Sequence, residues 1–263
     1  RTLAGKQVNT GFSIGEDGFI FAGTTIPREL LLQMQLLAAS LREPAFRPES
    51  FARARTAYLE RLRNAGTNPG SVMGLPMPEL LHDGDKRWAS SAAAEVEAAK
   101  VEDVRDLLLP LLERGAIDVT IVGDVTVQQA VDATAATFGA FAPRTASRLV
   151  ATAANTTRFP AGRPEPTRLI TTDQNGQEIG TVVWPTQGRF PDLKASVTLQ
   201  VLSAIMNTRL FDKLRLLGTV YTAQVGNTSS KVFDYGYLQA LAQMQPSAAP
   251  VFLEELLKIV ADI

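Results

Sequence analysis

The chain has 263 residues, 45% of them hydrophobic and 20% charged, with 26 Lys and Arg against 27 Asp and Glu for a net charge of −1. That is an ordinary globular composition, with neither the polarity of a disordered chain nor the positive excess that draws nucleic acid or an anionic membrane surface. One His and no Cys exclude disulfides, thiol catalysis, cysteine-based zinc sites and any pair of histidine ligands within these residues.

At ~100–200 residues per domain, the length allows one or two domains. No apolar run reaches the ~18 residues of a membrane-crossing helix. The first residue is Arg1 rather than Met, which reads as a fragment or a processed product. Gly11–Ile14 and Gly18–Ala22 are short apolar runs around Glu16-Asp17-Gly18 and predict two paired strands. Pro27 suits a first helical turn, after which Leu30, Met34, Leu37 and Leu41 recur at helical period until Glu43-Pro44 stops them. A second helix is expected from Pro48 to about Arg63, with Phe51, Ala54, Tyr58 and Leu62 on one face. Its arginines, Arg53, Arg55, Arg61 and Arg63, read as a solvated face paired with neighbouring Glu. The stretch from Gly66 to Pro78, rich in Gly, Pro and Asn, is expected to be irregular.

A helix is expected next from about Val101 to Leu112, bent or broken at Pro110 and stopped at Gly115. Ile117–Val122 is a short apolar run that predicts a buried strand. Thr126 and Gln129 then fit a capping box, with Val127, Val131, Thr134 and Phe138 as the inner face of the next helix. Residues 144–168, rich in Ala, Thr, Arg and Pro, read as a linker. Beyond it come a strand over Glu178–Trp184 and a helical stripe of Leu193, Val197, Val201 and Ile205. A short separate helix is expected over Arg209–Leu217, closed by Gly218. Val220–Val225 and Tyr235–Met244 predict antiparallel strands, and Val251–Ile263 a last helix. The order predicts an α/β (α+β) protein of two related modules, 1–143 and 169–263, each with a mixed, largely antiparallel sheet covered by helices and each incomplete.

Little in the chain carries chemistry by pattern alone. His82 lies in Leu81-His82-Asp83-Gly84-Asp85 without a marked Ser, Asp or Glu partner, and reads as a solvated or hydrogen-bonded loop histidine. Gly11, Gly15, Gly18 and Gly23 match neither nucleotide-binding glycine pattern and are turn glycines. Asp83 and Asp85 lack the remaining ligands of a calcium loop.

One segment is specific in order and spacing. Asn207-Thr208-Arg209-Leu210-Phe211-Asp212-Lys213-Leu214-Arg215, followed by Gly218-Thr219-Val220-Tyr221, resembles the Ser-Arg-Leu-Phe…Leu-Arg-Glu…Gly-Leu-Ala-Tyr segment of the pitrilysin/insulinase family of zinc metallopeptidases. Leu3-Ala4-Gly5-Lys6, the Leu30–Leu41 helix, Pro44-Ala45-Phe46, the Phe51–Arg63 helix, Ile121–Val125 and Phe138–Pro143 are similar to further parts of a module of that family, and residues 178–263 to the opening of the next.

The resemblance implies a non-catalytic C-terminal portion of a zinc-dependent peptidase, forming chamber wall and substrate-binding surface for a catalytic half outside this chain. It implies that Arg215 and Tyr221 hold the substrate main chain, although their spacing is one residue shorter than the family's usual one. The alternative at these two positions is structural, with Arg215 capping helix carbonyls and Tyr221 packing in a strand. The family's His-x-x-Glu-His signature needs two histidines, so with His82 alone it is not within this chain. The helix that would carry the downstream ligand offers Glu60, but Arg53 stands where a family-like Glu would be seven positions earlier. Expected, then, are no catalytic residue, no metal ligand and no cofactor in this chain, with zinc in the catalytic half. Expected partners are that half, on the same protein or a second subunit, and a peptide substrate, with no nucleic acid and no membrane. The compartment stays open: relatives of the four-module type suggest a bacterial, periplasmic location, with a cytoplasmic one as the alternative. A structural or assembly protein of the same fold without peptidase activity is the alternative.

Overall fold

The computed structural model describes residues 3–145, 156–162, 165–172, 176–215, 218 and 220–263. They belong to two compact units, one of Arg1–Thr56 with Ala98–Val150 and the other of Ala57–Glu97 with Ala151–Ile263. The segment 57–97 thus groups with the C-terminal part of the chain. Much of the linker expected over 144–168 lies outside the described residues.

In the first unit, β1 (Gly11–Ile14) and β2 (Phe19–Ala22) pair antiparallel in the register Gly11↔Ala22 to Ile14↔Phe19, closed by Gly15 N–H to Gly18 O at 2.8 Å. A 3-10 turn at Pro27–Glu29 leads into α1 (Leu30–Arg42), which buries Gln33, Met34, Ala38 and Leu41, the face the leucine spacing predicts. Gln33 is the unexpected member of that face. Its Nε2 donates to Asn9 O at 2.7 Å while its Oε1 accepts from Asn9 N–H at 3.2 Å, so a buried side-chain amide pairs with backbone as a neighbouring strand would. α2 (Pro48–Arg63) covers the expected span, with Phe51, Tyr58 and Leu62 half-buried but Ala54 exposed. Arg53 bonds Ser50 Oγ, and Arg55 lies over the Phe51 ring and bonds Ala99 O, in place of the expected Glu partners.

α6 (Val101–Arg114) keeps Pro110 inside and ends at Gly115. The buried strand expected over 117–122 does not form: these residues belong to no strand, and Val122 is 92% exposed. A strand needs a partner for its N–H and C=O groups, and none of the described residues supplies one. α7 (Val127–Ala135) starts with the predicted capping box, Thr126 Oγ1 accepting from Gln129 N–H. Its inner face is Ala133 with half-buried Ala130 and Thr134, whereas Val127 and Val131 point to solvent.

In the second unit, the stretch expected to be irregular holds two short helices, α3 (Pro69–Gly74) and α4 (Met77–Leu81), with α5 (Ala93–Ala98) beginning in the same insert. Proline at the first or second position starts both α3 and α4, and the Asn68 side chain accepts from Ser71 N–H to cap the first. Residues 66–68 and 75–76 are irregular as expected, while the prolines of this stretch mark helix starts.

β3 (Glu178–Thr186), β4 (Val220–Ser229) and β5 (Gly236–Met244) form an antiparallel sheet in the order β3-β5-β4. Central β5 buries every second residue, Leu238, Ala240, Ala242 and Met244, against α8 (Leu193–Arg215) and α9 (Ala249–Ala261). α8 is one continuous helix, not a stripe followed by a separate short one. Its buried face is Met206, Leu210 and Leu214 with Ser196 and Ser203, while Leu193, Val197, Val201 and Ile205 are 45–56% exposed. The sequence offers two apolar stripes on this helix, and the sheet takes the other one. Asn207 Oδ1 accepts from Val225 N–H at 2.9 Å, satisfying a backbone donor of edge strand β4.

Candidate functional site

Arg215 is the last residue of α8 and Tyr221 the second of β4, so the fold brings both to the same end of the helix–strand pair. Leu216, Leu217 and Thr219 lie outside the described residues. Gly218, at φ +65°, occupies the left-handed region that glycine enters without strain, and its N–H approaches Arg215 O at 3.4 Å, as a chain reversal past a helix end does.

The start of β4 is bulged. Its register with β5 passes from Val220↔Met244 to Thr222↔Gln243, leaving Tyr221 with no partner strand residue. Ala223 and Val225 are buried, and at period two an unbroken strand would turn Tyr221 to that same face. The extra residue breaks the phase, and Tyr221 is 55% exposed. Arg215 is exposed as well, its guanidinium carbon 5.7 Å from the centroid of the Phe211 ring. Among the described residues, neither the Arg215 guanidinium nor the Tyr221 hydroxyl has a hydrogen-bond or ion-pair partner. Two strong donors therefore stand at one end of α8 and β4, open to a ligand carbonyl. Phe211 was not legible as part of this group, although its spacing of four residues before Arg215 is the spacing at which helical side chains meet.

His82 is hydrogen-bonded, one of the two expected readings, and it is buried rather than solvated. It caps α4, is buried, and stacks between Trp88 at 3.8 Å and Tyr235 at 4.4 Å. Its Nδ1 lies 2.6 Å from Pro78 O; a carbonyl only accepts, so Nδ1 carries the proton. This histidine holds segment 57–97 to Tyr235, the residue before β5, within the second unit. Asp85 caps the next turn and is gripped by Arg87, which holds its carboxyl down at about 2 and also donates to Thr156 O. Asp83 and its neighbour Gly84 both have positive φ, the geometry of a tight turn. Among the described residues, no three of His, Cys, Asp and Glu come together as a metal site.

The family model described as "Peptidase M16 inactive domain" matches residues 99–263. No curated protein matches the chain. Among solved structures, the ferredoxin protease FusC in complex with Arabidopsis ferredoxin aligns at a TM-score of 0.75 and 14% identity, over 99% of this chain and 28% of its own. The periplasmic protease PqqL from Escherichia coli aligns at 0.71 and 12%, over 99% and 28%. A protease from Helicobacter pylori aligns at 0.74 and 16%, over 99% of this chain and 63% of its own. At such identities the likeness is one of fold, and this chain spans less than two thirds of each of those structures. The family match and the shared fold together place the chain in the pitrilysin/insulinase (M16) family of peptidases, as a chain of its inactive, non-catalytic half.

Proposed function

We propose that this chain is the substrate-holding half of a zinc-dependent peptidase, with Arg215 and Tyr221 as the groups that grip the substrate main chain. The observation that carries the reading is the presentation of both side chains, unconsumed by the fold, at one end of α8 and β4. A guanidinium offers a planar fork of N–H donors and a phenol one O–H donor, and both suit a peptide carbonyl. As that carbonyl becomes tetrahedral its oxygen gains charge, and hydrogen bonds to it from a cation strengthen. Donors fixed in place before the reaction therefore favour the transition state over the bound peptide. The nucleophile and its metal belong to the catalytic half, a part of the protein or a partner subunit outside these residues. In this reading the exposed stripe of α8 and the surrounding surface form chamber wall. A bacterial, periplasmic setting fits the reading, as the related PqqL is a periplasmic protease.

The test is fluorogenic-peptide cleavage by the whole protein that carries this chain, with and without chelator, beside Arg215→Ala and Tyr221→Phe. Each variant is expected to lose about 10²–10³ in rate, the cost of removing one oxyanion donor. A chelator-sensitive wild type with unaffected variants removes the two residues from the mechanism. A whole protein that cleaves nothing in the presence of zinc turns the reading into that of a structural or assembly protein.

A further inference from the structure

We propose that Phe211 is a positioning residue for Arg215, its ring serving as a platform that holds the guanidinium face so that the guanidinium edge meets the substrate carbonyl. The inference rests on the substrate-holding role proposed for Arg215 and adds a residue to it.

Arg215 is the C-terminal residue of α8, and a long unpaired side chain at a helix end samples many rotamers. Phe211 lies one turn earlier on the same side of the helix, at the i, i+4 spacing that brings side chains together. The guanidinium carbon sits 5.7 Å from its ring centroid, within the range of a cation–π contact. The ring does not belong to the core. Leu210 and Leu214 on either side of it are fully buried against the sheet, whereas Phe211 remains 41% exposed. An aromatic ring is thus kept at the surface beside one cation. Contact through the face of a guanidinium leaves the N–H groups around its edge pointing outward, and those are the groups that fork onto a carbonyl. A ring that fixes the cation before substrate arrives removes rotamer freedom that binding would otherwise have to remove.

The experiment uses the whole protein and the variants Phe211→Leu, which keeps an apolar side chain without a π face, and Phe211→Tyr, which keeps the face. Phe211→Leu is expected to lower kcat about two- to fivefold, the rate equivalent of an exposed cation–π contact, with unchanged Tm. Phe211→Tyr is expected to restore the rate. In an Arg215→Ala background Phe211→Leu is expected to add no further loss, because the two residues act as one unit. Independently of activity, the Arg215 Nε–H resonance is expected to show an upfield ring-current shift that Phe211→Leu abolishes and Phe211→Tyr retains. Absence of that shift, full activity of Phe211→Leu, or additive losses in the double variant each overturn the positioning role alone. If the ring-current shift is present but Arg215→Ala cleaves peptide at the wild-type rate, the substrate-holding reading itself fails, and the proposed role of Phe211 in catalysis fails with it.

Discussion

The hydroxyl of Tyr235 donates to the carbonyl oxygen of Leu81 at 2.6 Å, joining residues 154 apart in the sequence through a bond that is buried. The same phenol ring stacks on His82, which in turn stacks on Trp88. A short insert with few buried residues of its own is thereby fastened to the residue that leads into β5. Removing the hydroxyl leaves the Leu81 carbonyl, a helix-end acceptor, without its partner. Tyr235→Phe is expected to cost about 1–3 kcal/mol, the penalty for an orphaned buried group, read as a lower denaturation midpoint with an unchanged slope.

The same residue makes stability fall at high pH. Burial pushes the Tyr235 phenol well above its ordinary pKa, with nearby Tyr237 adding to the shift. The unfolded chain ionises its tyrosines near ~10, while the folded state keeps Tyr235 neutral. Stability from this group is therefore complete below about pH 10 and is lost as pH rises above it. Wild type is expected to lose more stability than Tyr235→Phe between about pH 9 and pH 11 on urea denaturation. Parallel losses would show that Tyr235 is not the titrating group.

The two apolar stripes of α8 make opposite predictions. Leu210→Ala removes a side chain with no exposure from the packed face and is expected to cost about 2–5 kcal/mol. Val201→Ala, on the exposed stripe, is expected to change stability by no more than about 0.5 kcal/mol. Thermal denaturation of the two variants distinguishes the faces, and equal effects would contradict the observed orientation of the helix.

Gly23 is fixed by crowding rather than by backbone angle. A Cβ at this position would collide with the Gln33 amide and with the carbonyl oxygen of Asn9, the two partners of the side-chain-to-backbone pair in the first unit. Gly23→Ala is expected to destabilise the protein by about 1–3 kcal/mol, as overpacking does, with loss of amide-exchange protection at Asn9 N–H. Retained protection at that amide would mean that the Gln33 bridge accommodates the methyl group.

By itself the sequence determined the local elements whose causes are local. The hairpin at 11–22, α1, α2, the Pro-bearing α6, the Thr126–Gln129 capping box and the strands around 178–186, 220–229 and 236–244 arise from period, caps and turn residues within a few positions. It also determined the family, because the Asn207–Tyr221 segment is specific enough to be recognised, and it put forward Arg215 and Tyr221 as candidate substrate contacts. What only the tertiary structure decided is which surface each element shows. Residues 117–122 have the composition of a strand, but a strand exists only where another backbone accepts its hydrogen bonds. α8 carries apolar residues on two sides, and only its packing on β4 and β5 selects Leu210 and Leu214 over Val197 and Val201. His82 has no sequence neighbour that announces its burial, since Tyr235 reaches it from the far end of the chain. Tyr221 stands free because a bulge shifts the phase of β4 by one residue, a shift set by pairing with β5 and invisible in the period of β4 alone.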